Sequence, residues 1–151
     1  MRDEDQRALD IAYRALGRRE RTVVELRTYL EGKHVEPEAI EHAVAGLTSA
    51  GFLDDARFAR RYAEDKWTLE QWGKDRIERN LRRRGVPIPL IAEVVDARDR
   101  TDELGAALAV LERRVPEPPI DDRGRDRAWR LLVRKGYEPE LAYDAVRAHS
   151  G

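Results

Sequence analysis

Cysteine is absent from this sequence of 151 residues, and long apolar runs are absent as well. A chain without cysteine forms no disulfide bond and offers no thiolate for catalysis or metal binding. The first ten residues are mostly charged, unlike a signal peptide, and no later stretch approaches the roughly 18 apolar residues of a membrane-spanning helix. We therefore predict a cytoplasmic protein that does not enter a membrane.

Sequence patterns for catalysis and cofactor binding are also missing. The three histidines, His34, His42 and His149, lack the spacing of metal ligands, and there is no glycine-rich phosphate-binding loop. The adjacent carboxylates Asp54 and Asp55 are typical of a helix N-terminus, where Asp54 caps the helix and Asp55 meets the positive end of its dipole. The sequence thus predicts a protein that is not an enzyme and that binds neither a cofactor nor a metal.

Apolar residues recur with the spacing of amphipathic helices, and the alternation typical of strands is missing. Thr22 and Glu25 have the spacing of a capping box, which predicts the start of a helix. Pro37 suits the first position of another helix. The first helix is predicted over residues 3–19, with Gly17 as its ending signal. The pattern as a whole predicts an all-α fold of nine helices.

A step of 51 residues relates apolar positions in three parts of the chain. The positions that follow it are Leu30, Leu81 and Leu132; Val35, Val86 and Tyr137; and Val44, Val95 and Val146. Gly85 and Gly136 follow the same step, but His34 stands at the matching place in the first repeat. Tandem helical repeats stack in a line, each covering the apolar face of its neighbour. We predict a monomer with three tandem three-helix repeats, helix-turn-helix-like modules, in an elongated, curved array, with boundaries at 1–53, 54–100 and 101–151.

Positive charge is concentrated in the middle repeat. Between Arg57 and Arg84 there are ten basic and five acidic residues, a net charge of +5, whereas the whole chain carries −1. Such an asymmetry indicates a polyanionic partner or an acidic protein surface for the middle repeat alone. The residues predicted to bind that partner lie on the first two helices of the repeat: Arg57, Arg60, Arg61, Lys74, Arg76, Arg79, Arg82, Arg83 and Arg84.

Two other interpretations stay open on the sequence. Exposed helix faces are commonly charged, so the arginines are also consistent with the solvent-facing side of an inert helical scaffold. The run Arg82–Arg84, which has no acidic residue within it, favours a binding role. In addition, the stretches 22–33 and 37–50 resemble the helix-turn-helix of a DNA-binding transcriptional regulator. The second stretch carries Glu38 and Glu41 but no lysine or arginine, and repulsion from phosphates argues against it as a recognition helix.

The tryptophans are candidates for packing or for base stacking. Trp67 and Trp72 flank the loop between the first two helices of the middle repeat. We predict that they pack between repeats rather than stack on the bases of a single strand. The 51-residue step places Trp129 at an outward position, where it covers a junction between repeats or marks a contact with a partner. Of the two, we expect the junction.

The stretch GFLDDARFARRYAEDKW, followed by RIERNLRRRGV, resembles the most distinctive part of the RecX family of bacterial recombination regulators. RRERTVVELRTYL in the first repeat and RAWRLLVRKGYEPELAYDAV in the last are also similar to that family. The resemblance implies a modulator of the RecA recombinase that binds RecA filaments on single-stranded DNA, inhibits ATP hydrolysis and strand exchange, and touches DNA itself. Two positions depart from the family pattern: His34 replaces a turn glycine, and Lys74 replaces the small residue or proline after Gly73.

Overall fold

The computed structural model describes residues 2–151, and within these residues it contains nine α-helices and no β-strand. The all-α prediction is therefore confirmed. The helices are α1 (Asp3–Arg18), α2 (Val23–Gly32), α3 (Pro37–Ser49), α4 (Asp55–Thr68), α5 (Lys74–Arg83), α6 (Ile88–Asp96), α7 (Arg100–Arg114), α8 (Asp122–Lys135) and α9 (Pro139–Ser150).

The predicted helix starts agree closely with the structure. The side chain of Thr22 accepts a hydrogen bond from the Glu25 N–H, and the Glu25 carboxylate accepts one from the Thr22 N–H, so the capping box is confirmed. Asp54 caps α4 by accepting from the Arg57 N–H at 3.0 Å. α1 ends at Arg18, one residue before the predicted bound at Arg19, and it continues past Gly17, which was expected to end it.

The 51-residue step describes three equivalent helix ends. After α2, α5 and α8, the residue that ends the helix adopts a left-handed backbone, with φ of 60° at His34, 86° at Gly85 and 105° at Gly136. The N–H of the next residue donates to the carbonyl oxygen five positions back, and the same bond forms three times: Val35 to Leu30, Val86 to Leu81 and Tyr137 to Leu132. His34 therefore keeps the turn geometry of the glycines, at the cost of a conformation that side chains disfavour.

All nine apolar residues related by the step are buried. The leucines are fully buried, and Val35, Val86 and Tyr137 are each at most 5% exposed. A repeat of turns together with a repeat of core positions explains why the periodicity is so clear in the sequence.

The chain divides into two compact units. The first unit comprises the residues up to Arg60 together with Leu81–Leu90, and its core is built by α1, α2 and α3 around Leu26, Leu30 and Leu47. The second comprises Arg61–Asn80 and Ile91–Gly151, and its core lies among α7, α8 and α9. The division cuts through α4, α5 and α6, so the boundaries at 1–53, 54–100 and 101–151 stay a prediction.

In the first unit, the N-terminus of α2 packs on the C-terminal end of α5. The Thr22 hydroxyl donates to the Arg84 carbonyl oxygen at 2.6 Å, and the Val23 N–H donates to the Asp55 carboxylate at 3.0 Å. The Val24 side chain lies so close to Gly85 that a Cβ there would come within 3.0 Å of it. These contacts explain why Thr22 is fully buried although it is polar.

In the second unit, the N-terminus of α5 makes the corresponding contacts with the C-terminal end of α8. The Gly73 N–H donates to the Lys135 carbonyl oxygen at 2.8 Å, and the Asp75 N–H donates to that of Gly136 at 3.0 Å. Gly73 lies 51 residues after Thr22, and Gly136 lies 51 residues after Gly85. The two contact regions are thus equivalent in the repeat, but side chains build the first and backbone groups build the second.

Replacement of Thr22 by alanine is expected to lower the free energy of unfolding by about 2 kcal/mol, because the cap and the hydrogen bond to the Arg84 carbonyl are both lost. Serine at the same position keeps the hydroxyl and should cost roughly half as much or less. Urea denaturation followed by circular dichroism measures both. Equal stability of the alanine and serine variants would contradict a role for the hydroxyl.

Candidate interface on the central basic residues

The nine central basic residues, defined as those predicted from the sequence to bind a partner, lie on α4, on α5 and directly after α5. Arg57, Arg60 and Arg61 are on α4, and the others extend from Lys74 to Arg84. These nine residues are distributed over the two compact units. Arg57, Arg60, Arg82, Arg83 and Arg84 belong to the first unit, and Arg61, Lys74, Arg76 and Arg79 to the second.

Five of the nine have exposed side chains: Arg60, Arg61, Arg79, Arg82 and Arg83. Within the part of the chain that the structure describes, Arg60, Arg79, Arg82 and Arg83 form no ion pair. Arg79 and Arg82 are one turn apart on α5, and Arg83 follows Arg79 by four residues, so the three guanidinium groups project from neighbouring positions of that helix. A partner with negative charge reaches these groups without displacing an internal carboxylate.

Arg57 has internal partners. Its Nη1 donates to the Gly51 carbonyl oxygen at 3.0 Å, and its Nε lies 3.7 Å from a Glu20 carboxylate oxygen. Its backbone N–H donates to Asp54, and this hydrogen bond holds the pKa of the Asp54 carboxyl below its ordinary value. Arg57 therefore stabilises the start of α4 and the turn that precedes it.

Arg84 is held within the first unit as well. Its guanidinium forms two hydrogen bonds with the Glu25 carboxylate, at 3.0 and 3.2 Å, and lies 4.5 Å from the centre of the Phe58 ring. A two-point contact of this kind fixes both side chains in one geometry. Together with the Thr22 hydrogen bond, it joins the end of α5 to the start of α2.

The contact of Glu25 with Arg84 predicts a pH dependence. Burial acts to raise the pKa of Glu25, but the hydrogen bonds from Arg84 and from the Thr22 N–H outweigh it, and the pKa is lowered from 4.5. A lowered pKa in the folded chain stabilises the protein above about pH 4.5, and that stabilisation is lost as the pH falls through the folded value. Glutamine at position 25 keeps the capping box but not the charge. The difference in urea midpoint between wild type and Glu25→Gln should therefore be largest near neutral pH and should shrink between about pH 5 and pH 3. A difference that does not change with pH would contradict a stabilising role for the Glu25 charge.

Lys74 and Arg76 also make contacts inside their own unit. The Lys74 ammonium lies 3.6 Å from Glu138, and its backbone N–H donates to the Glu103 carboxylate at 2.8 Å. Arg76 donates to the Arg134 carbonyl oxygen at 3.4 Å, and its guanidinium lies 3.9 Å from the centre of the Trp72 ring. Arg57, Arg84, Lys74 and Arg76 therefore already use their charge within the chain.

Glu103 is 1% exposed, and burial raises the pKa of its carboxyl. The Lys74 N–H and the Arg98 guanidinium, 3.6 Å away, both favour the charged form and oppose that effect. Glu103 thus provides a buried acceptor at the N-terminus of α5, where the first N–H groups of a helix have no partner of their own.

Trp72 is a packed ring, as expected, whereas the position of Trp129 differs from the prediction. The Trp72 ring has Arg76 on it and the Lys66 ammonium 4.7 Å from its centre, and it meets Tyr62 edge-on at 6.4 Å. Two cations already occupy this ring, which leaves it poorly suited to stack on a base. Trp129 does not cover a junction between repeats. It packs on the core of α7, α8 and α9, and its indole N–H donates to the Pro139 carbonyl oxygen at 2.9 Å.

The sequence interpretation overlooked a second group of basic residues. Arg134 and Lys135 occupy the places of Arg83 and Arg84 one repeat later, at the end of α8. Burial lowers the pKa of Lys135, and the nearby charges of Arg114, Arg76 and Arg113 add to this effect. The 51-residue step contained the signal, because it relates the end of α5 directly to the end of α8.

The acidic pair before α4 acts on backbone groups. Asp54 caps the helix, and Asp55 accepts from the Val23 N–H, with a pKa that burial raises. Over residues 2–151, no group of three or more histidine and carboxylate side chains is arranged to hold a metal ion. None of the helices formed by these residues is both long and apolar enough to span a membrane.

Comparison with known proteins identifies the family. Two family models match the chain, the first three-helix domain of RecX over residues 8–47 and the second over residues 54–95. Regulatory protein RecX of Deinococcus radiodurans is 35% identical over 97% of this chain and 70% of its own length, and that of Leptothrix cholodnii is 30% identical over 90% and 85%. The crystal structure of RecX from Lactobacillus salivarius superposes with a TM-score of 0.86 at 15% identity over 97% of each chain, and a second RecX structure with 0.80 at 19% identity over 97% of this chain and 72% of that one. This chain therefore belongs to the RecX family of regulatory proteins.

Proposed function

We propose that this chain regulates the RecA recombinase by binding RecA filaments on single-stranded DNA, without catalysis of its own, and that it lowers their ATP hydrolysis and strand exchange. Membership of the RecX family supports RecA as the target. The observation that carries the proposed contact is that Arg60, Arg79, Arg82 and Arg83 are exposed and have no ion-pair partner among residues 2–151. Arg61, which is also exposed on α4, is included among the proposed contacts.

The charge balance favours a negatively charged assembly as the partner. Arginine forms two-point hydrogen bonds with phosphates and carboxylates, and an arginine without an internal carboxylate gives up only water on binding. Both DNA phosphates and acidic side chains of a protein filament satisfy this requirement. In the proposed mechanism the bound chain contacts neighbouring filament subunits, and the binding energy opposes the motions that strand exchange requires.

A sequence-specific DNA-binding regulator is the weaker alternative. The helix that would enter the major groove in such a protein is α3, and its Glu38 and Glu41 side chains are exposed. Arg27, on α2, pairs with Glu41 through hydrogen bonds of 2.9 and 3.0 Å. α3 carries these carboxylates and no lysine or arginine, so it offers no positive charge of its own to the phosphates of duplex DNA, and this argues against readout of the major groove by α3.

A salt titration tests the proposal. Binding is measured by fluorescence anisotropy to bare single-stranded DNA, to RecA-coated single-stranded DNA and to duplex DNA, over a series of salt concentrations. We expect the tightest binding to the coated strand, with affinity falling as salt rises. For direct phosphate contacts on bare DNA the log-log slope is about 0.7 for each contact. A preference for one duplex sequence over the coated strand would instead support the DNA-binding regulator.

A further inference from the structure

A groove of about 610 Å³ lies in the last third of the chain, between the connection from α7 to α8 and the side of α8. We call it the α8 groove. Its apolar lining comes from the connection and from α8, and three arginines surround it. The apolar lining comprises Val115, Pro118, Pro119, Ile120, Ala128 and Leu131, and the arginines are Arg114, Arg127 and Arg134.

The three arginines of the α8 groove are exposed, and none forms an ion pair with any residue from 2 to 151. Two carboxylates also line the groove. Asp121 is occupied as the N-cap of α8, where it accepts from the Gly124 N–H at 2.8 Å, and Glu117 lies on the exposed connection. Positive charge therefore exceeds negative charge around the groove. Burial is the main cause of the lowered pKa of Lys135 at the same end of α8, and the charge of Arg114 in the groove adds to it.

Ile120 is the most exposed large hydrophobic side chain in residues 2–151, at 94%. The connection that carries it is anchored at both ends. The Val115 N–H donates to the Leu111 carbonyl oxygen at 2.7 Å, the His149 ring donates to the Val115 carbonyl oxygen at 2.6 Å, and Pro119 lies close against Gly124. An exposed apolar side chain on a fixed connection loses little conformational freedom when a partner covers it.

We propose that the α8 groove binds an acidic segment of a protein partner whose apolar side chain packs on Ile120 and Leu131 while its carboxylates pair with Arg127, Arg134 and Arg114. The combination of lining and charge favours this partner over nucleic acid. Single-stranded nucleic acids bind through phosphate contacts together with aromatic rings that stack on bases, and the groove is lined by proline and aliphatic side chains without an aromatic ring. This surface is separate from the nine central basic residues, and the proposal does not depend on RecA as the partner.

Selection of peptides by the full chain tests the proposal. A phage library of random 12-residue peptides is panned on the immobilised protein, and binders are measured in solution by fluorescence anisotropy. We expect enriched peptides with several aspartate or glutamate residues around a leucine, isoleucine or phenylalanine. Binding of such a peptide should weaken at least tenfold in Arg127→Glu/Arg134→Glu, and several-fold in Ile120→Ser.

Matched variants control for net charge and for exposed apolar area. Arg123→Glu/Arg130→Glu makes the same charge change on the same helix outside the groove, and Leu69→Ser removes another exposed apolar side chain, 76% exposed. Both should leave peptide affinity within about twofold. Arg127→Gln/Arg134→Gln repeats the test without placing acidic residues toward the end of α8, and circular dichroism checks that every variant is folded.

Three outcomes would overturn the proposal. The first is the absence of any enriched acidic and apolar peptide family. The second is equal peptide affinity of the wild type and the groove variants. The third is that oligothymidine, and not the peptides, loses affinity in the groove variants, which would make the α8 groove a nucleic-acid surface. None of these outcomes bears on RecA binding by the central basic residues, which the salt titration measures separately.

Discussion

The variant Arg82→Glu/Arg83→Glu is expected to require a roughly 100-fold higher concentration for half-inhibition of RecA-dependent ATP hydrolysis. Both side chains are exposed at the end of α5 and have no ion-pair partner in the described residues. A charge-assisted hydrogen bond contributes about 1.5 kcal/mol or more, and the loss of two such contacts corresponds to about two orders of magnitude in affinity. Extension of the change to Arg60 and Arg61 should abolish inhibition.

Acidic residues in the last turn of a helix oppose its dipole and cost about 0.3–1 kcal/mol each. The neutral variant Arg82→Gln/Arg83→Gln therefore accompanies the charge reversal, and it should lose inhibition without that penalty. Arg14→Glu/Arg19→Glu is the matched control, because both arginines are exposed and lie in another part of the chain. Unchanged inhibition by a folded Arg82→Glu/Arg83→Glu variant would remove the end of α5 from the proposed interface.

The core and the turns of this fold were predictable because their signals repeat. Leu30, Leu81 and Leu132 occupy equivalent helix positions, and each is fully buried. The caps at Thr22 and Asp54 were predictable for a different reason. A capping side chain accepts a hydrogen bond from the N–H three residues later, so both groups lie close together in the sequence. Both the three-residue spacing of a cap and the 51-residue step between core positions can be recognised in a single sequence.

The internal partners of the basic residues could not be predicted in this way. Arg84 pairs with Glu25, which lies 59 residues earlier, and Arg57 lies near Glu20 through the packing of the first unit. A local count of charge treats Arg82, Arg83 and Arg84 alike, although the structure exposes the first two and gives the third an internal carboxylate. Long-range pairing of charges thus decides which arginines are available, and it leaves no local signal.

The α8 groove was missed for a related reason. The sequence shows only that the proline-rich stretch Val115–Ile120 cannot be helical throughout. The groove depends on how that stretch folds back along α8. Pro119 packs against Gly124, and the Val115 carbonyl oxygen accepts a hydrogen bond from the His149 ring. Contacts of this kind become visible only when the helices are packed.

Alanine at position 136 should destabilise the protein by about 2–5 kcal/mol. The cost combines a left-handed backbone, about 1–2 kcal/mol for a residue with a Cβ, and steric overlap in a packed region, about 1–3 kcal/mol. Gly136 has φ of 105°, and a Cβ there would lie closer than 3.0 Å to the Cβ and N of Arg76 and to the Gly73 carbonyl oxygen. The N-terminus of α5 would have to move away from α8, which breaks the hydrogen bond from the Asp75 N–H to the Gly136 carbonyl.

Gly51→Ala separates the two contributions to that cost. Gly51 is also left-handed, with φ of 82°, but a Cβ there would meet nothing within 4 Å. The Gly51→Ala variant should therefore lose only the backbone contribution of about 1–2 kcal/mol. Urea denaturation followed by far-ultraviolet circular dichroism compares the two variants with wild type. A loss of stability at position 136 no larger than that at position 51 would mean that α5 adjusts to a methyl group without cost, and the tight contact of its N-terminus with the end of α8 would then contribute little to the fold.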